Sequence, residues 1–337
     1  MNSDSKTKSH SERPAKDQVP FQSDNGWLEL KNILNGRFVT SQITLVVGAG
    51  IHQVPKHTDP RTYESSLLLS SWDALLKRTF PHLAASSSPS LSWELGLQGG
   101  SRNISANERN KHEFRRVQTA IRNAERVLLL SPQSYALVTR VLRSTRIKDI
   151  ISLNLDLVVE HLLSSSADDP PRVTPATTRT DRHRVVNGIK VWHTHGDRSL
   201  NGSECLSLRS YGLSIAQIEI ARCRFKRWER KPENNRKRKR PANWMEALLQ
   251  DHLIMVGCSL NIAEWDIWFA LVNRWRNYAK AANKRDEPKT FVLTTSTEHQ
   301  HLPSQFLRLR ATSYDQGWDW LGKLLDQTPK GRVRRSP

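Results

Sequence analysis

The chain has 337 residues, with 52 Lys and Arg against 33 Asp and Glu, and a formal net charge of +19. That length fits one large α/β domain with insertions or two modest domains, and one core is the simpler reading. The three cysteines, Cys205, Cys223 and Cys258, form no CxxC pair, which argues against a disulfide framework or a structural zinc ribbon and for a reducing compartment; with no apolar signal region and no apolar run of spanning length, the expectation is a soluble, cytoplasmic protein.

Residues 1–22 lack apolar periodicity and read as a disordered tail. Trp27, Leu28, Leu30, Ile33 and Leu34 fall at helical spacing, closed by Asn35-Gly36, and predict a first helix. The aliphatic run from Ile43 to Val47 then stops at Gly48-Ala49-Gly50, the pattern of a buried parallel strand and its turn. Gly48 and Gly50 permit φ > 0 and let the backbone approach a bulky anion, a pyrophosphate being the usual guest. Many α/β proteins also turn a plain corner this way.

A polar loop with Pro55 and Pro60 leads to a predicted helix at 67–80, a Ser-rich linker at 84–92, and one or two amphipathic helices within 105–146, broken near Pro132. The block 67–146 is too long for a plain crossover and predicts an inserted helical cap. From Ile147 onward short apolar strands at 147–153, 185–192, 253–257, 289–294 and, weakly, 309–314 alternate with helices at 155–163, 210–228, 264–282 and 318–325. This rhythm predicts an α/β fold with a doubly wound, mostly parallel, Rossmann-like sheet spanning residues 23–327.

Charge is uneven. Residues 225–240 hold nine Lys and Arg against two Glu, and 330–337 add four more basic residues. With Pro232, Pro241 and no apolar stripe, the first segment reads as an exposed loop, able to meet nucleic acid or an acidic partner chain or simply to be solvated; 328–337 is a basic tail.

Ligands of open α/β sheets sit beyond the carboxyl ends of the strands, and four predicted strand ends are unusually polar: Gly48-Ala49-Gly50, Asn154-Leu155-Asp156, His193-Thr194-His195-Gly196-Asp197 and Gly257-Cys258-Ser259-Leu260. Converging on one edge, they make a nucleotide site. Each also has a plainer role. Asn154 fits the N-cap of helix 155–163, Asp156 complements its dipole, and Ser259 fits the cap of a helix opening near Ile262. His193 and His195 share strand parity and would pack on one face. The set Trp265, Trp268, Phe269 and Trp275 is spaced for helix packing, not for base stacking. A further alternative is metallic, since His193-Thr194-His195-Gly196-Asp197-Arg198 looks like the His-x-His-x-Asp-His motif of metallo-β-lactamase-type hydrolases, with Arg198 in place of the last ligand.

The order Gly-Ala-Gly, Asn-x-Asp, His-Gly, Gly-x-Ser-Leu, over residues 43 to about 262, resembles the sirtuin superfamily, and more closely its zinc-less bacterial branch of NAD-consuming defence proteins. The resemblance implies that Gly48, Ala49 and Gly50 hold the pyrophosphate, that Asn154 lies beside the nicotinamide ribose, that Asp156 contacts the carboxamide, that His195 is the base, and that Gly257 and Ser259 meet the adenosine side. Three departures matter: His52 stands where the family usually has Ser, the Pro-Asp-Phe-Arg loop of deacylating members is missing, and no zinc cysteines occur. The implied activity is therefore hydrolysis of NAD at the nicotinamide–ribose bond, without a metal, as the toxic effector of a bacterial antiphage system that kills its own cell (abortive infection). Such an enzyme would be held off until assembly, as a homo- or hetero-oligomer, or a partner chain triggers it. The alternative is a non-catalytic module that binds NAD or ADP-ribose and serves as an adaptor to nucleic acid or protein.

Overall fold

A computed structural model of the protein describes residues 25–36, 42–54, 58–80, 93, 106–130, 135–164, 181–199, 208–229, 241–260, 264–278, 287–295 and 302–327. The strands are β1 (Ile43–Val47), β2 (Ile147–Ser152), β3 (Arg184–Val186), β4 (Ile189–His193), β5 (His252–Val256), β6 (Thr290–Thr295) and β7 (Phe306–Ala311). They form one seven-stranded sheet in the order β3-β4-β2-β1-β5-β6-β7, parallel throughout except for β3 against β4. The chain builds outward from β1 through β2 to β4, returns to lay β5 on the other side of β1, and builds outward again. The reversal of strand order therefore falls between β1 and β5, the place where doubly wound sheets open a crevice for ligands.

The helices are α1 (Asn25–Leu34), α2 (Pro60–Ser70), α3 (Trp72–Thr79), α4 (Ala106–Leu129), α5 (Ala136–Leu142), α6 (Val158–Leu163), α7 (Leu208–Glu229), α8 (Trp244–Gln250), α9 (Trp265–Tyr278) and α10 (Tyr314–Asp326). Every residue of β1 and β5 is buried, as the continuous aliphatic runs predict for strands covered on both faces. Side-chain alternation then sorts two cores. Leu45, Val47, Ile150 and Leu293 pack with α1 to α6 and α10, whereas Val46, Ile151, Met255 and Val292 pack with α7, α8 and α9. Phe114, Ile121 and Leu128 of α4 join the first of these cores, so the helices between β1 and β2 share apolar packing with the sheet.

Several local expectations are corrected. The stretch 185–192 is a hairpin, β3 and β4, because Asn187 (φ 50°) and Gly188 (φ 78°) make an Asn-Gly turn of the kind that matches strand twist. The helix at 67–80 is two: Pro60 opens α2 behind an Asp59 cap, and Ser71 interrupts it to cap α3 through Ala74 N–H. Residues 49–52 form a single 3₁₀ turn. Helix α8, capped by Asn243, was not foreseen. Helix α6 begins only at Val158 behind Leu157, so Asn154 is not its cap. Phe225–Glu229, the first residues of the expected basic loop, are the end of α7. The tail 1–22, the Ser-rich stretch 84–92, the basic residues 230–240 and the tail 328–337 lie outside the described residues. Among the described residues no helix is long and apolar enough to cross a membrane.

Candidate functional site at the carboxyl edge of the sheet

The Gly-Ala-Gly turn is glycine-rich for a reason other than left-handed backbone. Gly48 has φ −109°, and Gly50 is not among the residues of positive φ. What the turn requires is proximity to the loop after β5. A Cβ on Gly48 would stand 2.5 Å from the Gly257 carbonyl oxygen and 2.7 Å from the Cys258 Cα, and one on Gly50 would stand 2.7 Å from the Gly257 Cα. Gly257 does adopt the left-handed conformation, with φ 64°. The Gly48 N–H donates to the Val256 carbonyl at 2.9 Å and the Gly50 N–H to the Gly257 carbonyl at 2.8 Å. These two amides are thus already used across the β1/β5 junction. Just beyond, Leu260 sits at φ 48°, a strained position for a branched side chain, and its carbonyl accepts the Trp268 indole N–H at 3.2 Å.

The 3₁₀ turn carries His52 into the interior, fully buried. Its Nε2 lies 2.9 Å from Asp156 Oδ2 and its Nδ1 3.1 Å from the Tyr135 hydroxyl, while the Asn154 amide nitrogen lies 3.3 Å from the same Nε2. Asp156 also accepts the Val158 N–H at 3.1 Å through Oδ1, which starts α6. Burial pushes the Asp156 carboxyl up, but the charge and hydrogen bond of His52 outweigh it and hold the group below the usual carboxylate range. Burial, followed by the Asp156 and Glu125 charges, raises the Tyr135 phenol, so its proton stays. Helix α2 fixes this turn: the Ser66 hydroxyl donates to the His52 carbonyl at 2.5 Å and accepts the Val54 N–H at 3.3 Å.

Asn154 and Asp156 face a cavity of about 30 Å³, bounded also by Ala49 and by Leu68, Leu69, Ser71 and Trp72 at the α2–α3 junction. That is room for about one water.

The two histidines after β2's neighbour diverge. β4 ends at His193, and the chain turns at Thr194-His195 before Gly196 (φ 86°), so strand parity no longer places both on one face. His193 turns to α6: its Nδ1–H donates to the Asn154 carbonyl at 2.8 Å and its Nε2 meets Glu160 at 2.7 Å. Burial lowers its pKa, yet Glu160 and Asp197 more than compensate and carry it up to about 9. Arg184 completes the cluster, 3.2 Å from Asp197 and 3.6 Å from Glu160. His195 turns to the other face. Its Nδ1–H donates to the Leu153 carbonyl at 3.1 Å, its Nε2 lies 3.5 Å from Asp266, and Ser214 donates to the same Asp266 at 3.1 Å. Tyr211 and Trp72 border the ring, with centroids at 5.4 and 6.5 Å. Burial opposes the charged imidazole, but Asp266 and then Glu264 raise its pKa. Glu264 is itself raised to about 7, chiefly by burial.

The structure thus brings Ala49, Asn154 and Asp156 to one cavity and joins Gly48 and Gly50 to Gly257. His195 adjoins it only through Trp72, and Ser259 is exposed and lines no part of it. The His193, His195 and Asp197 set does not converge, since each ring nitrogen is engaged elsewhere and Asp197 pairs with Arg184; among the described residues no cluster of three such side chains is arranged to hold a metal. Trp268 and Trp275 pack edge-on against Phe306, whereas Trp265 is exposed. Sequence reasoning missed His52, Tyr135, Glu160 and Asp266. Only His52 gave a signal, as the residue standing where the resembled family has Ser. The chain matches no model of a known protein family, and a search of curated proteins finds no match.

Proposed function

We propose that the protein is an NAD glycohydrolase of the sirtuin-like kind, cleaving NAD to nicotinamide and ADP-ribose, and that it acts in the cytoplasm as the effector of an antiphage system. The observation that carries this reading is the meeting of Ala49, Asn154 and Asp156 at one cavity on the carboxyl edge, beside the reversal of strand order between β1 and β5. In the reaction the C1′–N bond breaks, nicotinamide leaves with the electron pair, and a water oxygen bonds to C1′. The Asn154 amide, a donor and an acceptor, orients that water or the ribose hydroxyls. His195 takes the water's proton only after the α2–α3 junction has shifted. As the site stands, Nδ1–H donates to the Leu153 carbonyl, Nε2 lies 3.5 Å from Asp266 and Trp72 separates the ring from the cavity, so Nε2 must turn from Asp266 to the water before it can act as base. Asp156, anchored on His52, would contact the nicotinamide carboxamide.

NAD does not fit the cavity at its present volume. The α2–α3 junction, with Trp72 between the cavity and His195, is the cap that must shift to admit it. The glycine turn would meet the pyrophosphate through Ala49 and the loop beyond it, because the Gly48 and Gly50 amides are committed to β5.

The test is release of nicotinamide from NAD by the purified chain. Asn154→Ala and His195→Ala should each lower the rate by about 10² to 10⁴ while NAD still binds. Binding of NAD with no nicotinamide released by the unaltered protein would favour the non-catalytic NAD-binding or ADP-ribose-binding adaptor. Full activity in Asn154→Ala would overturn the assignment of the site.

A further inference from the structure

Asn154 follows β2 on an irregular loop, where a side chain is placed only as well as its backbone is held. The loop is held from two sides: the Ser152 hydroxyl, at the end of β2 itself, accepts the Asn154 N–H at 3.2 Å, and His193, from the adjacent strand, donates to the Asn154 carbonyl at 2.8 Å. The far nitrogen of His193 is clamped at 2.7 Å by Glu160, whose side chain is fully buried and whose other oxygen has no hydrogen-bond partner among the described residues. A relay Glu160, His193, Asn154 therefore runs from α6 across the end of β4 to the cavity wall.

We infer that His193 is a positioning residue for Asn154, holding the carbonyl of that residue so that its amide faces the cavity, with Glu160 fixing the ring in turn. The inference rests on the reading of Asn154 as the group that orients water. It assigns the second histidine of the His-x-His pair a part distinct from packing and from proton transfer.

The arrangement needs both ring nitrogens to carry protons. An imidazolium donates to Glu160 and to the Asn154 carbonyl together, but a neutral ring has one N–H, and the charged Glu160 is the stronger acceptor. Loss of the proton therefore releases Asn154. The groups facing His193 are Glu160 from α6, Asp197 from the loop after β4, Asp156 from the loop after β2, and Arg184 on β3, which lies 3.6 Å from Glu160. Their balance keeps the imidazolium up to about pH 9.

The experiment uses the full chain with the Asn154 carbonyl labelled with ¹³C, titrated from pH 7 to 10.5 with no ligand, alongside nicotinamide release by the unaltered protein and by His193→Gln. The carbonyl signal should move with a midpoint near 9, and the movement should vanish in His193→Gln. Turnover should fall about 10- to 100-fold in His193→Gln with KM for NAD little changed, and the alkaline loss of rate expected of the unaltered protein should be absent from the variant. A carbonyl signal that stays still across the titration overturns the inference, and that measurement needs neither a variant nor activity. If the carbonyl titrates but no nicotinamide is ever released, the positioning stands and the proposed reaction fails.

Discussion

Replacing Gly50 by Ala separates two explanations of the Gly-Ala-Gly turn. The new methyl group would lie 2.7 Å from the Gly257 Cα and 3.0 Å from its carbonyl oxygen, against 3.4–4 Å for an ordinary contact. The obstructing atoms are backbone, so no rotamer change relieves the overlap, and the loops after β1 and β5 must part by about 0.7 Å or more. Parting them stretches the 2.8 Å bond from the Gly50 N–H to the Gly257 carbonyl. Overpacking costs about 1–3 kcal/mol, and a weakened buried hydrogen bond adds about 1 kcal/mol, so the expected destabilisation is about 2–4 kcal/mol. Thermal and urea unfolding of purified protein would measure it. Gly212→Ala is the control, since nothing lies within 4 Å of a Cβ there and the residue is in α7; it should be neutral or stabilising by up to about 1 kcal/mol. If Gly50→Ala unfolds like the parent and only its affinity for NAD falls, the glycine serves the ligand and the packing account is wrong.

Two further outcomes follow from the buried charges. Asp156→Asn leaves His52 without its carboxylate and should cost about 3–5 kcal/mol at pH 7, the usual penalty for breaking a buried pair. Because the folded carboxyl lies below its ordinary range, its contribution is complete above about pH 4 and is lost as pH falls through the folded value, so the variant should show a flatter acid limb in stability against pH. Glu264 has the opposite sign: its folded pKa of about 7 lies above the unfolded one, so stability should decline as pH rises from about 4 toward 7, and Glu264→Gln should abolish that decline in denaturation series at pH 5 and 8.

The sheet was legible because its strands are covered on both faces and must be continuous aliphatic runs; Ile43–Val47 and His252–Val256 could hardly be anything else. The hairpin was also written in the chain, in Asn187-Gly188, but the aliphatic residues on both sides of the turn look like one strand when the turn is overlooked. The division of 60–79 into α2 and α3 turned on one hydroxyl, Ser71, whose capping role is invisible until the chain direction changes. At the site, spacing identified Asn154 and Asp156 but not what they touch. His52 meets Asp156 across 104 residues and Tyr135 across 83, contacts that no periodicity encodes. The opposite fates of His193 and His195 depend on where β4 stops, and strand ends are the least determined part of any sequence pattern.

The position of β1 has a consequence for how the protein is made. It is the first strand to be synthesised, and β2 can cover one of its edges about a hundred residues later, but the other edge waits for β5, with roughly two hundred residues between Ile43 and its partner His252. In the interval a nascent chain holds an open edge of five residues, four of them apolar, Ile43 to Val47, a template for pairing with a neighbouring chain. The segment translated shortly before β5 is the most basic in the sequence, residues 225–240. Like-charge repulsion between nascent chains that carry it opposes such pairing at the stage when the edge is last exposed, a task complete before the native protein exists.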